Sequence, residues 1–110
     1  MSLIVQKFGG TSVADLERIR HVAKRVIATY DLGNDVVVIL SAMSGITDTL
    51  IDMAREVTEA PDSRELDVLL ATGEQTTSAL LAMMLKSMNY PAQSLLGHQE
   101  IGRASCRERV

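Results

Sequence analysis

Val36-Val37-Val38-Ile39-Leu40, followed at once by Ser41-Ala42-Met43-Ser44-Gly45, decides the fold. A short, fully apolar and mostly β-branched run that ends in small residues reads as a strand opening into a loop. Upstream, Leu3-Ile4-Val5 ending in Gln6-Lys7-Phe8 reads as an earlier strand buried on both faces, broken by Gly9-Gly10-Thr11-Ser12. Between the two, Leu16, Ile19, Val22, Ala23, Val26, Ile27 and Tyr30 recur in steps of three and four, so a helix with one apolar face joins them. Ser12 and Asp15 have the spacing of a capping box at its start, and Gly33 is a natural stop.

Downstream, a second helix is predicted from Thr47 or Asp48 to Glu59, burying Leu50, Ile51, Ala54 and Val57. Ala60-Pro61-Asp62-Ser63 reads as a turn that caps the next helix. That third helix carries Leu66, Leu69 and Leu70 and runs to Thr72-Gly73. A fourth covers about Gln75 to Met88, with Leu80, Met83, Met84 and Met88 inward. After Pro91, Ala92 to Leu96 is a candidate third strand. Strand, helix, strand, helices, strand implies an α/β protein, with parallel strands joined by right-handed crossovers and helices covering the sheet.

Composition narrows the function classes. The 110 residues suffice for one small domain, and the net charge of −3 without a basic stripe argues against nucleic acid as a partner. No apolar run approaches the ~20 residues of a membrane span, and the N-terminus lacks the order of a secretory signal. The single cysteine, Cys106, excludes an intrachain disulfide. A cytoplasmic protein without a membrane partner is the expectation. His21 and His98 lack the spacing of metal ligands, and the methionines read as core filling.

Three segments could carry chemistry. Lys7-Phe8-Gly9-Gly10-Thr11-Ser12 lies at the carboxyl end of the first strand, where open α/β sheets bind ligands. Glycines let the backbone approach a phosphate, a helix N-terminus adds partial positive charge, and Lys7 adds a full one. The segment is neither a Walker A loop nor a Gly-x-Gly-x-x-Gly fingerprint. Taken alone, Gly-Gly after a strand is more often a tight turn. Ser41 to Thr47 offers small hydroxyl residues at the end of the second strand, or else an ordinary loop with Thr47 capping a helix. Thr72-Gly73-Glu74-Gln75 lies between two predicted helices, where Glu74 either grips an ammonium group or merely complements a helix dipole.

Taken together and in order, Lys7 to Val13, Val38 to Gly45 and Thr72 to Gln75 resemble the N-terminal part of the aspartate kinases. The resemblance covers about residues 2 to 99. It implies a partial three-layer α/β/α amino acid kinase fold with a mostly parallel sheet. It further implies transfer of the γ-phosphoryl of ATP to the side-chain carboxylate of L-aspartate, giving 4-phospho-L-aspartate, the first step towards lysine, threonine and methionine. Lys7 matches the lysine that touches the transferred phosphoryl group, and Phe8, Gly9 and Gly10 match the phosphate-contacting loop. Ser41 and Thr47 match positions beside the substrate pocket, and Glu74 matches the carboxylate that binds the aspartate amino group. ATP and Mg²⁺ are the implied cofactors, no protein metal ligand is implied, and the complete enzyme is expected to be a homo-oligomer. The family's later Gly-rich phosphate segment, its nucleotide-base site and its regulatory domains have no counterpart here. The expectation is therefore an inactive piece of such an enzyme. The competing reading is a non-catalytic module that binds a nucleotide or a partner chain.

Ile101-Gly102-Arg103-Ala104-Ser105-Cys106-Arg107-Glu108-Arg109-Val110 has no period and no strand character. It resembles the in-frame translation of a common short-read sequencing adapter, whose preceding bases also account for most of the Glu100 codon. Residues 1–99 are thus expected to be the N-terminal part of a catalytic domain, and 100–110 a non-native tail. Resequencing the genomic locus should show a natural reading frame continuing after Gln99. These ten codons in the genome would overturn the tail assignment.

Overall fold

The computed structural model describes residues 2–95 and the backbone of 107–109. Its elements are β1 (Leu3–Phe8), α1 (Leu16–Asp31), β2 (Asp35–Leu40), α2 (Ile46–Val57), α3 (Ser63–Ser87), β3 (Gln93–Leu95) and β4 (Arg107–Arg109). The strands form one sheet in the order β1-β2-β4-β3. β1 and β2 are parallel and in register from Leu3↔Asp35 to Phe8↔Leu40. β4 runs antiparallel to both β2 and β3, so the three strands expected from sequence point the same way. The α/β architecture with a parallel β1–β2 pair agrees with the expected fold class.

Val36, Val38 and Leu40 are buried on one side of β2 beside Phe8 of β1, and Ile19, Val22, Ala23 and Val26 of α1 join them. Leu81, Ala82 and Leu85 of α3 complete the core. The opposite side of β1 is open: Leu3 is 62% and Val5 59% exposed. The reading of β1 as buried on both faces is corrected here. In the described residues β1 is the outer strand of the sheet, with helices packed on one face only. Continuous apolar residues say that a strand can be covered twice, not that it is.

The helices carry further corrections. The Ser12–Asp15 capping box does not form. A 3₁₀ turn occupies Gly10–Val13, and Asp15 itself caps α1 by accepting from the Arg18 N–H at 2.9 Å. Leu16 is largely exposed, whereas Ile19, Val22, Ala23 and Val26 bury the face read from the periodicity. Gly33, at φ +94°, closes the far end and donates its N–H to Tyr30. α2 starts one residue before Thr47, and its cap position is Gly45 at φ +80°. None of its side chains is fully buried, and Val57 is largely exposed. Asp62 caps α3 through the Glu65 N–H at 3.1 Å.

The two helices expected on either side of Gly73 are one helix of 25 residues. Its buried face is Gly73, Thr77, Ser78, Leu81, Ala82 and Leu85, so Met83 points outward and Leu80 is only half-buried. The C-terminal half is apolar nearly all round, which leaves periodicity unable to choose a face. By length and composition α3 could cross a membrane; in this fold it packs on the sheet as a core helix. Met43, Met84 and Met88 line the core, while Met53 joins Met83 at the surface.

β4 was not expected. A strand edge offers backbone donors and acceptors to any extended segment, so pairing there requires no strand-like side chains. Leu96, His98 and Cys106 lie outside the described residues.

Tyr90 ties the end of α3 to α1. Its ring meets Tyr30 edge-on at 5.8 Å, and its hydroxyl donates to Asp31 at 2.9 Å. The hydrogen bond to Asp31 raises the Tyr90 pKa above its ordinary 10.0, with desolvation and the Asp31 charge adding to it. A raised folded-state pKa means that the contribution to stability is complete below pH 10 and fades as pH climbs through the raised value. Tyr90→Phe should therefore delete the late phase of the tyrosine absorbance titration. It should also lower urea stability relative to the parent below pH 10, with the two converging at higher pH.

Candidate functional site

Because β1 and β2 are parallel and in register, they end at the same level and their loops emerge side by side. The ladder extends one step past the strands: the Ser41 N–H donates to the Phe8 carbonyl at 3.1 Å. That bond holds Ser41 against Gly9. A Cβ on Gly9 would lie 2.8 Å from the Ser41 Oγ, closer than real Cβ contacts come. Gly9 itself is extended (φ −145°), so side-chain space rather than backbone freedom makes glycine fit here. Gly10, at φ +55°, is the position that needs a glycine's conformation.

Lys7 and Phe8 alternate across β1. Lys7 is exposed, while the Phe8 ring is buried and covered by the Arg25 guanidinium, 5.1 Å from its centroid. Such a cation–π contact at an exposed cation contributes roughly 0.5–1 kcal/mol. The ring anchors the strand end in the core, so Phe8 can face a phosphate only through its backbone. After Gly10 the chain makes its 3₁₀ turn, with Ser12 N–H donating to Gly9 and Ala14 N–H to Thr11. The first amides of any helical turn lack partners within the turn, which leaves N–H groups near Gly10 as anion donors. The α1 terminus contributes less than expected, because Asp15 already occupies an amide of its first turn.

The second loop is tied to the segment before α1 and closed by a turn of its own. Ser44 N–H donates to Ala14 at 3.2 Å, and Ile46 N–H to Met43 at 3.2 Å. Its far side rests on Gly73 of α3. A Cβ there would lie 3.0 Å from both the Ala42 Cβ and the Ile46 Cγ2, and 3.7 Å from the Leu50 Cδ1. Glycine inside a helix costs ~1 kcal/mol relative to alanine, and at this position it provides the space into which the loop packs. The sequence reading placed Gly73 in the Thr72–Gln75 segment but gave it no role of its own, because an internal glycine reads as a break. Its signal was a glycine within a run that otherwise keeps helical composition on both sides.

The three segments singled out in the sequence therefore converge. Lys7 to Ser12 touches Ser41, and Ala42 and Ile46 touch Gly73, the neighbour of Glu74. Glu74 is half-buried in mid-helix, so the dipole explanation for it fails. Thr47 sits exposed in the first turn of α2 and does not cap it. An apolar hollow of about 310 Å³ between Ala54, Val57, Pro61, Leu66 and Leu69 lies towards the α2–α3 turn and contains none of these residues. Among the described residues no group of three His, Cys, Asp or Glu could hold a metal ion.

The profile of the amino acid kinase family matches residues 2–109. The chain belongs to the amino acid kinase family. Within the family it is 56% identical over 99 residues to the aspartokinase of Geobacillus stearothermophilus and 54% identical to that of Mycolicibacterium smegmatis. Each match covers 90% of this chain and 24% of the relative. The crystal structure of the aspartate kinase from Synechocystis superposes with a TM-score of 0.83 at 52% identity, over 88% of this chain and 17% of that one. The chain thus spans about a quarter of the length of the curated relatives it matches.

Close packing of Gly9 on Ser41 has a measurable consequence. Gly9→Ala should lower stability to denaturant by up to about 1 kcal/mol, the low end of overpacking costs, because the Ser41 Oγ must turn away from the new methyl. Adding Ser41→Ala, which removes the clashing Oγ, should return most of that loss.

Proposed function

We propose that this chain is the N-terminal part of an aspartate kinase, which moves the γ-phosphoryl of ATP to the side-chain carboxylate of L-aspartate. The observation that carries the reading is the convergence of the Lys7–Ser12 loop, the Ser41–Ile46 loop and Gly73-Glu74 at the carboxyl ends of two parallel strands. Relatives named aspartokinase match over nearly the whole of this chain, which supports it.

Phosphoryl transfer asks a protein for alignment and charge neutralisation more than for covalent help. Two anions, a carboxylate and a polyphosphate, must meet. In this reading Lys7 lies at the strand mouth and offsets the charge on the transferred group, while the amides around Gly9 and Gly10 receive phosphate oxygens. Ser41 and Thr47 border the amino acid, and Glu74 receives its ammonium group. Mg²⁺ characteristically keeps several waters and is held by one or two carboxylates together with substrate phosphates. Bound together with the nucleotide, it would supply charge neutralisation there. The reading extends to a cytoplasmic homo-oligomer.

The test uses a full-length relative carrying residues 2–99 of this chain. Lys7→Ala should lower kcat by ~100-fold or more, the scale of losing one key electrostatic donor; a loss below threefold removes Lys7 from the mechanism. Glu74→Ala should chiefly raise the KM for aspartate, and an unchanged KM removes that assignment.

A further inference from the structure

We infer that Gly73 is a positioning residue: the side chain it lacks sets the distance between α3, which carries Glu74, and the Ser41–Ile46 loop, and so sets the width of the amino-acid pocket. This inference rests on the proposed function and adds a residue to it.

The geometry is specific. Gly73 is buried in the middle of an unbroken helix, where its φ is ordinary and no turn, cap or kink calls for glycine. An alanine there would favour the helix itself. What an alanine meets is the loop: the Ala42 Cβ and the Ile46 Cγ2, both at 3.0 Å. Carbon atoms pack comfortably at 3.5–4.0 Å; the Ile46 side chain can turn aside, but the Ala42 Cβ is fixed to its backbone, so loop and helix must part by a few tenths of an ångström. The loop has little freedom to do so. Ser41 is bonded to Phe8, Ser44 to Ala14, and Ser41 also abuts Gly9 on the opposite side. The segment is held between two glycines, one on the phosphate loop and one on the helix that bears Glu74. A methyl at Gly73 therefore moves α3 and the pocket loop apart, changing the separation of groups that grip the acceptor. The Lys7–Gly10 loop, anchored separately through Phe8 in the core, keeps its place.

Two variants approach the same contact from opposite sides in a full-length relative carrying residues 2–99. Gly73→Ala wedges the contact open. Ile46→Ala removes the Cγ2 that faces Gly73 and lets the loop loosen; Ile46 is 36% exposed, so this change leaves the core intact. Both should raise the KM for the amino-acid acceptor by roughly three- to tenfold while the KM for the nucleotide stays within twofold, because a shift of a few tenths of an ångström is a fraction of the ~1 Å misplacement that can cost ~100-fold. A higher melting temperature for Gly73→Ala with the acceptor KM unchanged would overturn the inference, because Gly73 would then be a replaceable helix residue. Should Gly73→Ala fail to fold, Ile46→Ala decides alone, and an acceptor KM within twofold of the parent overturns the inference. A parent with no acceptor-dependent turnover overturns the proposed function and this role with it; an active parent with unchanged variants overturns the role of Gly73 only.

Discussion

Two parallel strands that finish at the same level hold the rest of this structure in place. The register from Leu3↔Asp35 to Phe8↔Leu40 brings the two following loops out together, and the bond from Ser41 to Phe8 carries the pairing one residue further. From that point the glycines do the spacing. Gly9 admits the Ser41 hydroxyl on one side of the loop, and Gly73 admits Ala42 and Ile46 on the other. Neither glycine is needed for an unusual backbone; each is needed for the atoms it lacks. Three stretches far apart in the chain become one surface through close contacts that a larger residue at either glycine would force to shift.

The same arrangement explains why the site is rigid on one side and open on the other. Core side chains from α1, β2 and α3 fix the strand ends from beneath, and Phe8 joins them with Arg25 lying over its ring. Above, Lys7, Gly9, Gly10 and Thr47 stay exposed. Lys7 stands at the end of an outer strand, on the face that the described residues leave open. The bare face of β1, with Leu3 and Val5 outward, belongs to a sheet that these residues cover on one side only.

Much of this was legible in the sequence. The apolar β-branched run Val36–Leu40 marked β2, the three-and-four spacing from Ile19 to Val26 marked the buried face of α1, and Gly33 marked its end. The chemistry-bearing segments could be named because lysine, paired glycines and small hydroxyl residues stand where strands stop. The misreadings share one cause: local pattern does not report what packs against it. Gly73 looked like a helix break, and the apolar surround of α3 hid which face would be inward. Ser12 had the spacing of a cap, but the chain tightened into a 3₁₀ turn and Asp15 capped instead.

Sequence alone therefore determined most of the element types, the parallel α/β class and the family, and it named candidate residues for phosphate and carboxylate. Element types and class follow from hydrophobic period and turn chemistry, which are properties of neighbours along the chain; the family followed from the resemblance of three segments taken in order. Only the tertiary structure decided that β1 leaves one face open, that Ser63–Ser87 is one helix capped by Asp62, and that Gly73 is a contact point rather than a helix break. Those outcomes depend on distances of 3–4 Å between residues dozens of positions apart, set by packing against partners that no local pattern names.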